Sequence, residues 1–292
     1  MLEEHGRAAG GFWRQAWQRL RRNRLALFAG GIIVVAILAA LMGQHLSTVR
    51  YDSLDWEAIA APPKLGGAHW LGTDRLGRDL FVRTLYGLRI SLVIGLLASA
   101  VSLLIGVLWG AIAGYSGGRT DELMMRAVDV LYSLPYLFIV IILMTLFARG
   151  SLIVLFVAIG AVGWLTIARI VRGQTLALKR TEFVDAARAI GVGPGAMLWR
   201  HIVPNLAGTI IAYATLAIPQ MILFESFLSF LGLGVQEPLP SLGNLINDGA
   251  REMQSAAWML LVPAGSLVLL LVCFNILGDA LRDALDPRDR PS

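Results

Sequence analysis

Residues 90–118 read ISLVIGLLASAVSLLIGVLWGAIAGYSGG, twenty-nine positions without a charged side chain. A helix needs about 20 apolar residues to cross a bilayer. The stretch is therefore long enough to span one, and it is not alone. Residues 25–42, 130–148, 151–168 and 258–277 have the same character. Residues 206–235 hold one charge, Glu225, and are too long for one ordinary span. Centring that helix on 208–228 places Glu225 near its outer end. The expected architecture is an all-α polytopic membrane protein with six transmembrane helices.

Composition agrees. Apolar residues make up 57% of the 292-residue chain and charged residues 15%, against about 25% charge in a soluble domain. Mean hydropathy is +0.68. No segment outside the spans is long enough for a large independent core. The net charge of +5 fits orientation against anionic lipid better than nucleic-acid binding. Cys273 lies in an apolar run, where it reads as a small buried hydrophobe. The four histidines show no metal-ligand spacing.

Basic residues orient the spans. With both termini cytoplasmic, 17 of the 25 lysines and arginines fall inside and 8 outside, as the positive-inside rule requires. Residues 1–24 then form a cytoplasmic segment and 25–42 a retained first helix rather than a cleaved signal. Residues 43–89 form an extracytoplasmic loop, 90–280 a five-helix core, and 281–292 a cytoplasmic tail. Phe12, Trp13 and Trp17 read as interfacial anchors beside arginines.

Within the long outer loop, Thr73 or Asp74 is expected to cap a helix starting near Leu76. Asp74 and Arg78 are spaced to pair across one turn, and Asp79 suits a cap or polar contact. In the second span, Gly106, Gly110 and Gly114 form a small-residue stripe for close helix contact. Pro135 and Pro219 should kink their helices. Gly232, Gly234, Pro238 and Pro240 interrupt helix after Phe230, which suits an interfacial or re-entrant segment. Thr73, Asp74, Arg78, Asp79, Glu225, Gly232 and Gly234 are the candidate residues of an outer vestibule. Glu225 could instead pair structurally or couple protons.

The loop at 181–204 is the most specific. Phe183, Ala187 and Ile190 share one helical face, Gly191 ends the pattern, and Pro194 can start a second helix. Two short helices joined by a glycine bend make a compact knob for a partner's groove. Asp185-Ala186-Ala187, then Gly191 after three intervening residues, then His201-Ile202-Val203-Pro204, resemble the cytoplasmic coupling motif of ATP-binding-cassette importer permeases. Asp185 stands for the usual glutamate, Val203 for the usual leucine, and His201 occupies a hydrophobic position.

Further stretches resemble the second permease of the dipeptide, oligopeptide and nickel importer family. They are Leu71-Gly72-Thr73-Asp74, Gly77-Arg78-Asp79, Phe230-Leu231-Gly232-Leu233-Gly234, Pro240-Ser241-Leu242-Gly243-Asn244 and Asn275-Ile276-Leu277-Gly278-Asp279. The terminal Asp286-Pro287-Arg288 completes the series. The resemblance implies the type I importer permease fold, in the bacterial inner membrane. It implies a related second permease, two ATPase subunits and an extracytoplasmic solute-binding protein as partners. Asp185, Ala186, Ala187, Gly191, Ile202, Val203 and Pro204 would couple to the ATPases. ATP and magnesium would bind those ATPases, and this chain would bind no cofactor or metal. It has no phosphate-binding Gly-Lys-Ser/Thr segment and is not expected to be an enzyme. Dipeptides or short oligopeptides are the expected cargo, with a nickel chelate or glutathione as alternatives. An ion-coupled secondary transporter would leave the 181–204 spacing unexplained.

Site-directed labelling of intact cells checks the orientation. Cysteines in 49–64 should label from outside and cysteines in 181–204 should not. External labelling of both would contradict six crossings with the insert inside.

Overall fold

The computed structural model describes residues 14–47, 49–64, 66–147 and 151–285. The expected anchors Phe12 and Trp13, the span end at Ala148 and the motif at Asp286-Pro287-Arg288 lie outside these residues. Among the described residues the chain is built from helices, with one isolated β-bridge between Thr73 and Asp79.

The long helices follow the apolar runs. They are α1 (Arg24–Leu46), α2 (Leu80–Ser116), α5 (Leu152–Leu178), α7 (Ala207–Phe230) and α9 (Trp258–Leu285). Each is long and apolar enough to cross a membrane. Asn23 caps α1 by accepting from Ala26 N at 3.1 Å, and Ser151 caps α5. Between α2 and α5 come α3 (Gly118–Ser133) and α4 (Tyr136–Leu146). After α5 the insert holds α6 (Glu182–Ala189) and the helical run Pro194–Ala196, Met197–Ile202 and Val203–Asn205, whose middle part is π-helical. The last short helix is α8 (Leu242–Arg251).

Two expectations about helix limits change. The expected 130–148 span is broken: α3 and α4 meet at 81° across Leu134 and Pro135. Proline has no N–H to donate and its ring opposes a preceding helical turn. Eleven residues of α4 extend only about 16 Å, so a sixth crossing requires the bent pair together. Charged residues Arg119, Asp121, Glu122, Arg126 and Asp129 all fall on α3.

The second span begins at Leu80 rather than Leu76, and Asp79 is its cap, accepting from Val82 N at 2.9 Å. Asp74 serves its own turn instead: one carboxylate oxygen accepts from Leu76 N at 2.8 Å and Arg78 N at 2.9 Å. Gly77 closes that turn at φ +76°. A β-carbon there would strike the Asp55 carbonyl, so the turn needs glycine on both counts.

Helix α2 packs chiefly against α5. Its glycine stripe makes this possible. An added β-carbon would lie 2.7 Å from Ile167 at Gly106 and 2.8 Å from the Arg172 carbonyl at Gly114. At Gly110 it would collide with the Ala168 carbonyl. From the other side, Gly160 of α5 abuts Val101. In lipid, helix association rests on this kind of close van der Waals fit. Helix α7 packs on α2 and α9, and α1 lies against α9 and α2. Cys273 is buried in this second layer. Polar bonds pin the rest. Asp121 of α3 accepts from Arg172 of α5 in a bidentate pair at 2.6 and 2.7 Å.

Lys179 donates to the Tyr115 carbonyl, so the ends of α2 and α5 that carry the insert lie together. Trp258 Nε1 donates to the Thr73 carbonyl at 3.4 Å, which ties the start of α9 to the opposite end. The molecule therefore has an insert end and a loop end.

Gly110→Leu should destabilise the protein by about 1–3 kcal/mol through overpacking. Gly173→Leu is the control, because nothing approaches an added β-carbon there. Thermal unfolding in detergent should show a lower midpoint for Gly110→Leu alone. Equal midpoints would refute the close helix contact.

Candidate functional site

Three regions carry the polar and docking chemistry. At the loop end, the turn at 73–79 is sewn into the fold. Thr73 is fully buried; its hydroxyl donates to the Ala58 carbonyl and accepts from Ala61 N at 2.9 Å. Asp74 pairs with Arg78 at 2.6 Å, the expected one-turn contact. Arg78 also donates to Glu237 at 3.0 Å, joining this turn to the segment after α7. Asp79 contacts His69 Nδ1 at 2.8 Å, and the other ring nitrogen lies 3.3 Å from Asp55. Burial alone would lower the His69 pKa, but the two carboxylates outweigh it and the pKa is raised. The imidazolium thus stabilises the turn below its ordinary pKa, and that contribution fades as pH rises through the raised value.

Glu225 lines no open surface among the described residues. It is fully buried, accepting from Ser91 at 2.6 Å and Ser229 at 2.7 Å, with Ser226 at 3.4 Å. Ser91 in turn accepts from Leu242 N at 3.3 Å. One carboxyl group thereby joins α2, α7 and the start of α8. A buried polar group is tolerated when hydrogen bonds satisfy it. Gly243 lets α8 approach this junction, since a β-carbon there would strike the Ser226 carbonyl.

One concave surface at the loop end is a recess of about 230 Å³ between the turn, the segment after α7 and α8. Arg75, Arg83, Glu237, Asp248 and Arg251 supply its charges. Of the expected vestibule residues, Gly232 lines it. Thr73, Asp74, Arg78 and Asp79 are buried supports, and Gly234 is buried against Ser229. Sequence reading passed over Arg83. Its signal was a cation inside the first turn of a helix that is apolar beyond Arg89. Asn244 and Asn247 shape the recess by donating to the Val235 carbonyl at 2.6 Å and to the Phe230 carbonyl. This anchors the interrupted segment that the glycines and prolines announced.

Midway along the helices lies a groove of about 690 Å³ at the α3–α4 break. Leu134, Tyr136, Gly163, Gln220, Phe224 and Phe227 are among its walls. Pro135 thus opens a concave surface where a straight helix would have closed it.

At the insert end, the knob has an inner and an outer face. Val184, Ala187, Met197 and Ile202 pack into the chain's own core with Ala111, Ile167 and Val171. Gly191 turns the chain at φ +86°. Asp185 pairs with Arg188 at 3.1 Å on the surface. Ala186 is exposed, as are Phe183, Trp199 and Ile190, the last at 82%. Ala187 and Ile202 therefore hold the knob on its base, while Phe183, Ala186, Ile190 and Trp199 form the free apolar face. Two expectations are corrected: Ala187 shares a face neither with Phe183 and Ile190 nor with Ala186, because it is buried on the core while those three are exposed.

Residues 106–291 match the family described as binding-protein-dependent transport system inner membrane component. Residues 11–63 match the N-terminal TM domain of oligopeptide transport permease C. The oligopeptide transport system permease protein OppC of Escherichia coli (strain K12) is 49% identical over 289 residues, covering 99% of this chain and 94% of that protein. The OppC protein of Haemophilus influenzae is 47% identical, with 99% and 93% covered. The dipeptide transport system permease protein DppC of Bacillus subtilis (strain 168) is 45% identical over 282 residues, with 96% and 87% covered. Joined to the packed apolar helices and the knob between α5 and α7, these matches place this multi-pass membrane protein in the binding-protein-dependent transport system inner membrane component family, with the type I ABC importer permease fold.

Proposed function

We propose that the chain is one of two membrane subunits of an ATP-driven importer of dipeptides and short oligopeptides. Near-half identity to oligopeptide and dipeptide permeases over almost the whole chain supports that cargo. The observation that carries the coupling role is the knob itself. It couples a free apolar face to a rigid internal base, which is what force transmission to a partner requires. In this reading the insert end and both termini face the cytoplasm, and two ATPase subunits grip Phe183, Ala186, Ile190 and Trp199. Asp185 and Arg188 set the surface charge beside that grip. Gly191, Val203 and Pro204 fix the bend and the return of the chain. ATP and magnesium are bound by the ATPases, and the hydrolytic chemistry is theirs.

The loop end then faces outward, toward an extracytoplasmic solute-binding protein that delivers the peptide. A related second permease covers the α3–α4 groove and completes the path. The membrane is the bacterial inner membrane.

Two substitutions separate the faces of the knob. Ile190→Asp places a charge on the free face without touching the core cluster. It should leave the thermal midpoint unchanged and reduce ATPase association and peptide-stimulated hydrolysis by about tenfold or more, the effect of desolvating an unpaired charge at an interface. Ala187→Trp should instead lower the midpoint of the permease itself by overpacking. Full ATPase coupling in the Ile190→Asp complex would contradict the docking role.

A further inference from the structure

The recess at the loop end holds an incompletely neutralised cation. Arg83 exposes 1% of its surface, yet its Nε has no hydrogen-bond partner among the described residues. Its nearest carboxylate, Asp74, is shared. The same Asp74 oxygen lies 2.6 Å from Arg78 Nε and 3.5 Å from Arg83 Nε. Glu237 is likewise committed to Arg78, at 3.0 Å. Asp248 makes a loose contact with Arg75 at 3.9 Å and acts on Arg83 at longer range. The walls carry three guanidinium groups, Arg75, Arg83 and Arg251, against two carboxylates. Arg83 Nε is enclosed beside Asp74 and Nη1 donates to the Tyr51 carbonyl at 3.3 Å, so Arg83 acts on the recess through the charge it lends the wall, for which a carboxylate is the complementary partner.

The recess and the apolar groove both reach the C-terminal end of α7. Phe227 lines the groove and Leu231 lines the recess, one turn further along the same helix end. Leu231 N donates to the Phe227 carbonyl at 3.0 Å. A small zwitterion with apolar side chains would meet the charged recess first and the apolar groove next.

We propose that this recess binds the C-terminal carboxylate of the transported peptide, a role that rests on the peptide-import reading above. Arg83 supplies the buried charge, and Arg75 and Arg251 guide the carboxylate at the mouth. Glu237 and Asp248 limit the surplus positive charge, so that the recess selects a single carboxylate rather than polyanions.

The test compares trialanine with its C-terminal amide in the complete reconstituted complex, at saturating receptor. Wild-type complex should transport the acid faster. Arg83→Gln and Arg251→Gln should each lower acid uptake by about tenfold, the loss expected from one charged hydrogen bond, and leave amide uptake unchanged. Arg83→Lys should keep part of the preference. Arg251 is exposed, so its variant reports on the recess even where Arg83→Gln fails to fold. An unchanged acid-to-amide ratio, or equal slowing of both peptides, overturns the proposal. Weakened receptor docking at an unchanged ratio also overturns it and assigns the recess to the receptor.

Saturation-transfer NMR on the receptor-free complex in nanodiscs gives a second readout. Acetylated trialanine should show contacts that Arg83→Gln or Arg251→Gln removes, and its amide should not. Equal contacts from both, or none from the acid, overturn the carboxylate site. Selective acid binding without ATP-driven uptake would sink the import reading and leave the site in place.

Discussion

The close contact of α2 with α5 is the constraint on which the other features depend. Gly106, Gly110 and Gly114 bring the two backbones together along about two turns. Hydrophobic burial gives little drive between helices already surrounded by lipid, so fit has to supply it. The same pairing positions both ends of the molecule. At one end, Ala111, Ile167 and Val171 form the base on which Val184, Ala187 and Ile202 of the knob rest. At the other, α2 carries Asp79, Arg83 and Ser91, the anchors of the turn, the recess and the Glu225 junction.

Polar groups inside this frame join elements that the apolar contacts leave separable. Glu225 connects three helices through serines, and Arg172 with Asp121 ties the broken α3 to α5. Removing one partner from such a buried set costs far more than the set contributes in place. The Glu225 junction gives the loop end a defined geometry even though much of it is not helical. It also explains why a guanidinium as buried as Arg83 is tolerated: Asp74 lies near, the Tyr51 carbonyl accepts from it at 3.3 Å, and the recess gives access to further anions.

Much of the helical fold was legible because long uncharged runs have few solutions in a membrane. The glycine stripe, the Asp74–Arg78 pair and the bend at Gly191 could also be read locally. What escaped was set by contacts distant in sequence. Asp79 rather than Asp74 caps α2 because Asp74 is consumed by its own turn. Pro135 signalled a kink, but the 81° break depends on how α3 packs on α5. Glu225 looked like an outer residue until Ser91, 134 positions away, closed over it. Ala186 and Ala187 were grouped by motif, yet only the packing of Ala187 on the core tells their faces apart. Arg83 was counted as one more loop charge because its burial arises from contacts distant in sequence, among them Tyr51, Asp74 and the recess walls after α7.

Vectorial coupling between the two ends is the central requirement. Proteoliposomes should contain this permease, its companion permease and the ATPases, with receptor and radiolabelled peptide facing the loop end and ATP facing the knob. The account predicts peptide accumulation that requires ATP hydrolysis on the knob side and receptor on the other. Accumulation driven by a proton gradient without ATP, or unaffected by omitting the receptor, would contradict it.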